Sequence, residues 1–139
     1  MPRRRERSVC WQTGIGSGYE AIQTNAAVIG GVFVVGVPLL MMWLWPSGWS
    51  WTPPQPEYEH MIMGVYATLG VFLIKAATDP LANRSLIGFT VWSSIVHGGI
   101  MLIHALMDET DRANLVGDVP GLFLVAFVLW YLMPKKVPA

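Results

Sequence analysis

Four long apolar stretches run along the chain, each bounded by short polar ones. The first, "AAVIGGVFVVGVPLLMMWLW", covers 26–45, and the second, "YEHMIMGVYATLGVFLIKAA", covers 58–77. A third covers 86–107 and a fourth 114–133. A helix that crosses a bilayer needs about 20 mostly apolar residues, and each stretch meets that length. The pattern predicts an all-α fold. Residues 26–133 form a four-transmembrane-helix bundle, 1–25 a short surface N-terminal arm, and 134–139 a tail. The start of the fourth span is ambiguous. Asp118 and Pro120 have the character of a helix start, and a helix beginning at Pro120 would cover only about 21 Å at 1.5 Å per residue. Either the helix begins before Asp118 or the membrane thins there.

The polar stretches read as connectors. "PSGWSWTPPQPEYE" holds prolines that favour extended backbone. Trp43, Trp45, Trp49 and Trp51 beside it suit the headgroup zone. "TDPLANRS" is a tight turn in which Asp79-Pro80 stops one helix and Asn83 or Ser85 can cap the next. "DETDRANLVGD" joins the third and fourth spans. "TGIGSGYEAIQTN" reads as a Gly-rich linker on the membrane surface. Pro38 predicts a kink in the first span. Ala26 with Gly30, and Ala27 with Gly31, give that span a small face for helix packing.

Composition agrees with a membrane class. The chain has 139 residues, 53% hydrophobic and 13% charged, against about 25% charged in soluble domains. Formal net charge is zero, so no basic field attracts nucleic acid. The single cysteine, Cys10, forms no internal disulfide and reads as an inert thiol. The first span lacks a small-x-small cleavage pattern and reads as uncleaved.

Charge also predicts orientation. Arg3, Arg4, Arg5, Arg7, Lys75, Arg84, Lys135 and Lys136 share one side, and only Arg112 lies on the other. By the positive-inside rule both termini are cytoplasmic. The expected location is the bacterial inner membrane, in contact with lipid. Glu57, Glu59, Asp108, Glu109, Asp111 and Asp118 then lie in the outer loops.

Candidate chemistry concentrates on the third span. Thr90, Ser94, His97, Met101, His104 and Asp108 follow heptad steps, so they share one helix face. Lipid cannot satisfy hydrogen-bonding groups, so this helix-packing seam should face partner helices. His97 lies about 15 Å below Met107, near the midplane, where an ionisable residue marks a functional site by default. The structural alternative is a neutral imidazole bonded to a Ser, a Thr or a backbone carbonyl on a facing helix. Gly98 and Gly99 would let another backbone or a flat cofactor come close. His60 opens the second span at the depth of His104. Glu59, His60, His104 and Asp108 could ligate a transition metal, and two of the three histidines could hold a haem. The alternative is a solvated acidic rim, with no cofactor. Lys75 reads as a snorkelling anchor. The fourth span carries no polar side chain before its end and should face lipid or another subunit.

"EHMIMGVYATLGVFLIKAATDP" and "NRSLIGFTVWSSIVHG" together resemble an uncharacterised family of small bacterial four-helix integral membrane proteins. The shared pattern is Glu-His opening the second span, a "DP" turn, then Arg-Ser-Leu-Ile, Trp-Ser-Ser and His-Gly on the third. The resemblance covers about the middle half of the chain. It implies the four-helix fold and a bacterial origin, and it carries no activity. It singles out Glu59, His60, Asp79, Pro80, Arg84, Ser85, Trp92, Ser93, Ser94, His97 and Gly98.

Three functions fit. The leading reading is a non-catalytic accessory or structural subunit of a larger membrane complex (respiratory, photosynthetic or membrane-oxidase type). Its partners would be other subunits or copies of itself. The second is a haem-, pigment- or metal-binding redox protein using His60, His97 and His104. The third is a small oligomeric transporter, disfavoured because every carboxylate falls at a span edge or in a loop. Ser93, Ser94 and His97 lack an elbow motif and an acid partner, which argues against a nucleophilic enzyme.

Overall fold

A computed structural model describes residues 3–44 and 55–133, with side chains from Ser17 onward. The 45–54 connector with Trp45, Trp49 and Trp51, the 134–139 tail and the Cys10 side chain lie outside the described residues. The described chain is all-α. Helix α1 (Arg3–Gly31) continues without a break through a π-helical turn (Val32–Gly36), a short α turn (Val37–Leu39) and a second π turn (Leu40–Leu44). Helices α2 (Pro56–Thr78) and α3 (Arg84–Met107) follow. A 3₁₀ segment (Glu109–Leu115) leads into α4 (Asp118–Leu132). Four segments are long and apolar enough to cross a membrane: Ser17–Leu44, Pro56–Ala76, Arg84–Met107 and Glu109–Leu132. This is the build of a multi-pass membrane protein.

One expectation about the first helix changes. The Gly-rich stretch before Ala26 is helical and continuous with the span, not a separate surface arm. Its inner part belongs to the bundle: Ile22 is fully buried beside Ala26, Leu73 and Ala77. Each glycine costs about 1 kcal/mol against alanine in a helix. Propagation from a packed helix adds one hydrogen bond per residue without a new nucleus, which sustains the helix through them. At Pro38, where a kink is expected, the helix continues through a change of winding. Pro38 has no N–H to offer the preceding turn, and the ladder widens into π turns on both sides of it.

The fourth span resolves the ambiguity at Asp118. The α-helix does begin there, and the 3₁₀ segment before it supplies the missing length. At the α2–α3 turn the expected cap is absent. Asn83 precedes α3 without capping it, and its Nδ2 instead donates to the Asp79 carbonyl at 2.9 Å. Asp79 Oδ1 accepts from the Ala82 N–H at 3.1 Å.

The helices run up and down in sequence order. The closest pairings are α1 with α2 and α3 with α4, while α2 and α3 meet sparsely. In the first pair Gly30 abuts Gly70, and Gln23 Nε2 donates to the Thr78 carbonyl. In the second, Gly88 faces Met133 and Gly98 faces Leu122 and Phe123. Both ends of the bundle-forming chain therefore lie at the end marked by the Asp79–Asn83 turn. The core at that end joins Ile22, Leu73, Ile87, Val91, Ala126 and Leu129. On α4 the buried residues are Val119, Leu122, Ala126 and Leu129, a helical stripe at steps of three and four. The supposedly lipid-facing fourth helix thus buries one side within its own chain.

Candidate functional site

Where α2 and α3 come together at mid-height, the contact is polar. The Tyr66 hydroxyl and His97 Nδ1 are hydrogen-bonded at 2.5 Å. Their rings lie 5.7 Å apart, tilted by 35°. Phe33, in the first π turn of the α1 continuation, sets its ring edge-on to Tyr66 with 5.1 Å between centroids. Tyr66 stands 12 residues before the end of α2 (78 − 66), and His97 stands 13 after the start of α3 (97 − 84). Two antiparallel helices leaving one short turn bring such positions to the same depth, about 18–20 Å from the turn at 1.5 Å per residue.

The fourth helix brings a carboxylate. The Gly88–Met133 and Gly98–Leu122 contacts fix an antiparallel register that sets Asp118 level with Leu102 and Ile103. That is about 7 Å inside the end of α3 at 1.5 Å per residue. Asp118 lies one turn before Leu122 on the inward side of α4, and it is half-buried. Phe33, Tyr66 and His97 meet at mid-height, and Asp118 lies about 8 Å nearer the end that carries the 3₁₀ segment. The expectation that every carboxylate lies at an edge fails for Asp118, because α4 starts below the rim.

The six-residue stripe on α3 divides. Thr90 and Ser94 are buried, His97 and Met101 half-buried, and His104 and Asp108 exposed. The buried face instead runs through Ile87, Thr90, Val91, Ser94, Gly98 and Ala105. His104 stands in the last turn of α3 and Asp108 just beyond it, at the exposed end of the helix. Several hydroxyls also find partners on their own helix. Thr90 Oγ1 donates to the Leu86 carbonyl at 3.0 Å and Ser93 Oγ to the Thr90 carbonyl at 3.1 Å. Such back-bonding satisfies a hydroxyl in lipid without a partner helix.

His60 and His104 both lie exposed toward the end that carries the 3₁₀ segment. The His104 side chain is 65% exposed, with Nδ1 3.9 Å from Asp111 Oδ2. His60 is exposed near the start of α2, and Glu59 beside it is half-buried. Asp108 caps the 3₁₀ segment, accepting from the Thr110 N–H at 2.9 Å and its hydroxyl at 2.8 Å. Those bonds hold its carboxyl below the usual range. Arg112 pairs with Glu109 at 2.9 Å. Among the described residues no three His, Cys, Asp or Glu side chains gather as a metal site, so Glu59, His60, His104 and Asp108 do not converge in the single chain. Gly98 is filled by α4: a Cβ there would lie 3.3 Å from the Leu122 Cβ and 3.5 Å from the Phe123 ring. Gly99 faces open space. The Lys75 ammonium lies 5.5 Å from the Phe72 ring centroid, on an exposed side chain.

Sequence reasoning missed Tyr66. A usable signal existed: in a helical hairpin, residues equidistant from the turn face each other, and Tyr66 mirrors His97 about the Asp79–Asn83 turn. No curated protein and no solved structure matches the chain. The family comparison does match, over residues 16–136, nearly the whole of the helical region. The chain belongs to the family of unknown function DUF6632.

Proposed function

We propose that the chain is a non-catalytic accessory or structural subunit of a larger bacterial inner-membrane complex, inserted with both termini cytoplasmic. The observation that carries this reading is the second face of α4. Leu124, Phe127, Trp130 and Tyr131 all remain exposed on the single chain, and Phe127 and Tyr131 stack at 6.0 Å. Large aromatics of this kind anchor subunit contacts. Gentle extraction should yield a species heavier than one chain, held by other subunits or by copies of itself. Replacing Phe127 and Trp130 with alanine should release the single chain with its helix content intact. A parent protein that is monomeric and fully stable after gentle extraction would overturn the reading.

A second reading, a small oligomeric transporter, gains from Asp118. An acid set inside the end of α3, about 8 Å in depth from a mid-height tyrosine–histidine pair, is an intramembrane ionisable group of the kind that marks ion pathways. Flux in proteoliposomes that depends on Asp118 separates this reading from the first.

A further inference from the structure

We propose that Tyr66, His97 and Asp118 form one proton-exchange site inside the bundle, served from the end that carries the 3₁₀ segment. The ligand is a proton delivered by water. The site goes beyond both readings above, since a subunit or a transporter could use it.

The geometry supplies each part. The Tyr66 hydroxyl and His97 Nδ1 lie 2.5 Å apart, and the neutral His97 tautomer with its hydrogen on Nε2 accepts there from the hydroxyl. A proton reaching the Tyr66 oxygen can therefore be passed on without leaving tyrosine charged. The arriving proton bonds to the phenol oxygen, the original O–H bond breaks, and its hydrogen bonds to Nδ1. Tyr66 ends neutral and His97 ends as an imidazolium, with one proton consumed and no other reactant. Asp118 stands between this pair and the rim in depth, about 8 Å nearer the rim than His97 at 1.5 Å per residue. A carboxyl there can take up a proton from the rim and release it again.

On α2, half-buried Glu59 and exposed His60 stand at the depth of Asp118. The α1 continuation presents the Phe33 ring. On α4 the side chains after Asp118 are apolar through Leu129. The charges of the 3₁₀ segment are engaged at the rim, Arg112 with Glu109 and Asp111 beside His104. Toward the turn, α3 continues through buried Ser94, Val91 and Thr90, and Thr90 is bonded to its own helix. Toward the 3₁₀ end the site meets an ionisable side chain, Asp118, and toward the turn it meets the hydroxyls of Ser94 and Thr90.

The test uses the full chain in sealed, orientation-sorted vesicles, with ¹⁵N-labelled histidine read by NMR. Acidifying the 3₁₀ side should convert the His97 signal from neutral imidazole to imidazolium, while acidifying the turn side should leave it neutral on the same time scale. Tyr66→Phe should slow the conversion by on the order of a hundredfold, the scale of a positioned proton-transfer group. Asp118→Asn should slow it as well, and His104→Gln should leave it unchanged. Retained helix content and mass distribution establish that the variants fold. If Tyr66→Phe does not fold, Asp118→Asn alone decides. A His97 that stays neutral wherever the protein is folded, responds equally from both sides, or converts at the parental rate in folded Tyr66→Phe or Asp118→Asn overturns the proposal.

Discussion

Gly30 and Gly70 press their backbones together. A Cβ on Gly30 would lie 2.7 Å from the Gly70 carbonyl oxygen, and one on Gly70 would lie 2.6 Å from the Gly30 oxygen. Backbone cannot move aside as a side chain can, so α1 and α2 must separate to admit either methyl. Gly70→Ala should cost about 1–3 kcal/mol, the usual penalty of overpacking. Gly31→Ala, which meets open space, should be neutral or stabilising. Thermal unfolding in detergent, compared across the two variants, checks this. Equal stability of the Gly70 variant and the parent would contradict it.

The Tyr66–His97 bond should behave as a coupled pair. Each single change leaves a half-buried polar group without its partner, which costs about 1–3 kcal/mol. His97→Leu should therefore destabilise the bundle more than His97→Gln, which keeps a polar contact. Combining Tyr66→Phe with His97→Leu should cost less than the two single effects added, because the second change removes a partner already lost. A double-mutant cycle on unfolding free energy measures this, and strict additivity would count against the bond.

Gly98 is tight but not closed. Its Cβ position lies 3.3 Å from the Leu122 side chain, a neighbour able to give slightly. Gly98→Ala should cost less than Gly70→Ala, whereas Gly98→Leu should separate α3 from α4. Gly99→Ala should gain helix stability, about 0.5–1 kcal/mol at an unstrained site. The same unfolding measurements rank all three, and a Gly99→Ala loss larger than that of Gly98→Leu would refute the packing described.

The cap at Asp108 should be acid-sensitive. Its carboxyl sits below the usual range because Thr110 donates to it twice. A lowered folded-state value means the stabilisation is present above the ordinary carboxylate range and is lost as pH falls through the folded value. Amide exchange at Thr110 should therefore stay protected at neutral pH and quicken in acid, after correction for intrinsic exchange. Asp108→Ala should abolish the protection and its pH dependence, while Asp108→Asn should retain protection without the acid step.

Reporter fusions test the proposed orientation. Fusions after Pro54, Asp79 and Asp111 should read outside, inside and outside. An external signal at Asp79 would invert the charge-based assignment.

The sequence by itself determined the helical class and four segments long and apolar enough to cross a membrane, although the first begins at Ser17 and the fourth at Glu109, earlier than the hydropathy pattern placed them. Length and hydropathy suffice for these, because a bilayer demands about 20 apolar residues closed by their own backbone hydrogen bonds. The small faces of α1 were legible too, since Gly30 admits only a close neighbour. Which neighbour it meets was not, because any helix can fill a small-residue groove. Only the tertiary structure decided that Gly70 fills it. The same limit governed the site. His97 stood out as a polar group at midplane, but its partner lies 31 residues away on another helix. Tyr66 itself carries no polar neighbour in sequence to mark it. His104 lay on the same heptad face as His97, yet it stands in the last turn of α3, where its side chain is exposed. Asp118 looked like a loop residue because its depth depends on where α4 packs along α3, and Gly98 against Leu122 and Phe123 sets that depth. Local periodicity specifies which residues share a face. Rotation and axial register between helices follow from side-chain packing across the interface, and packing belongs to pairs of segments rather than to either one.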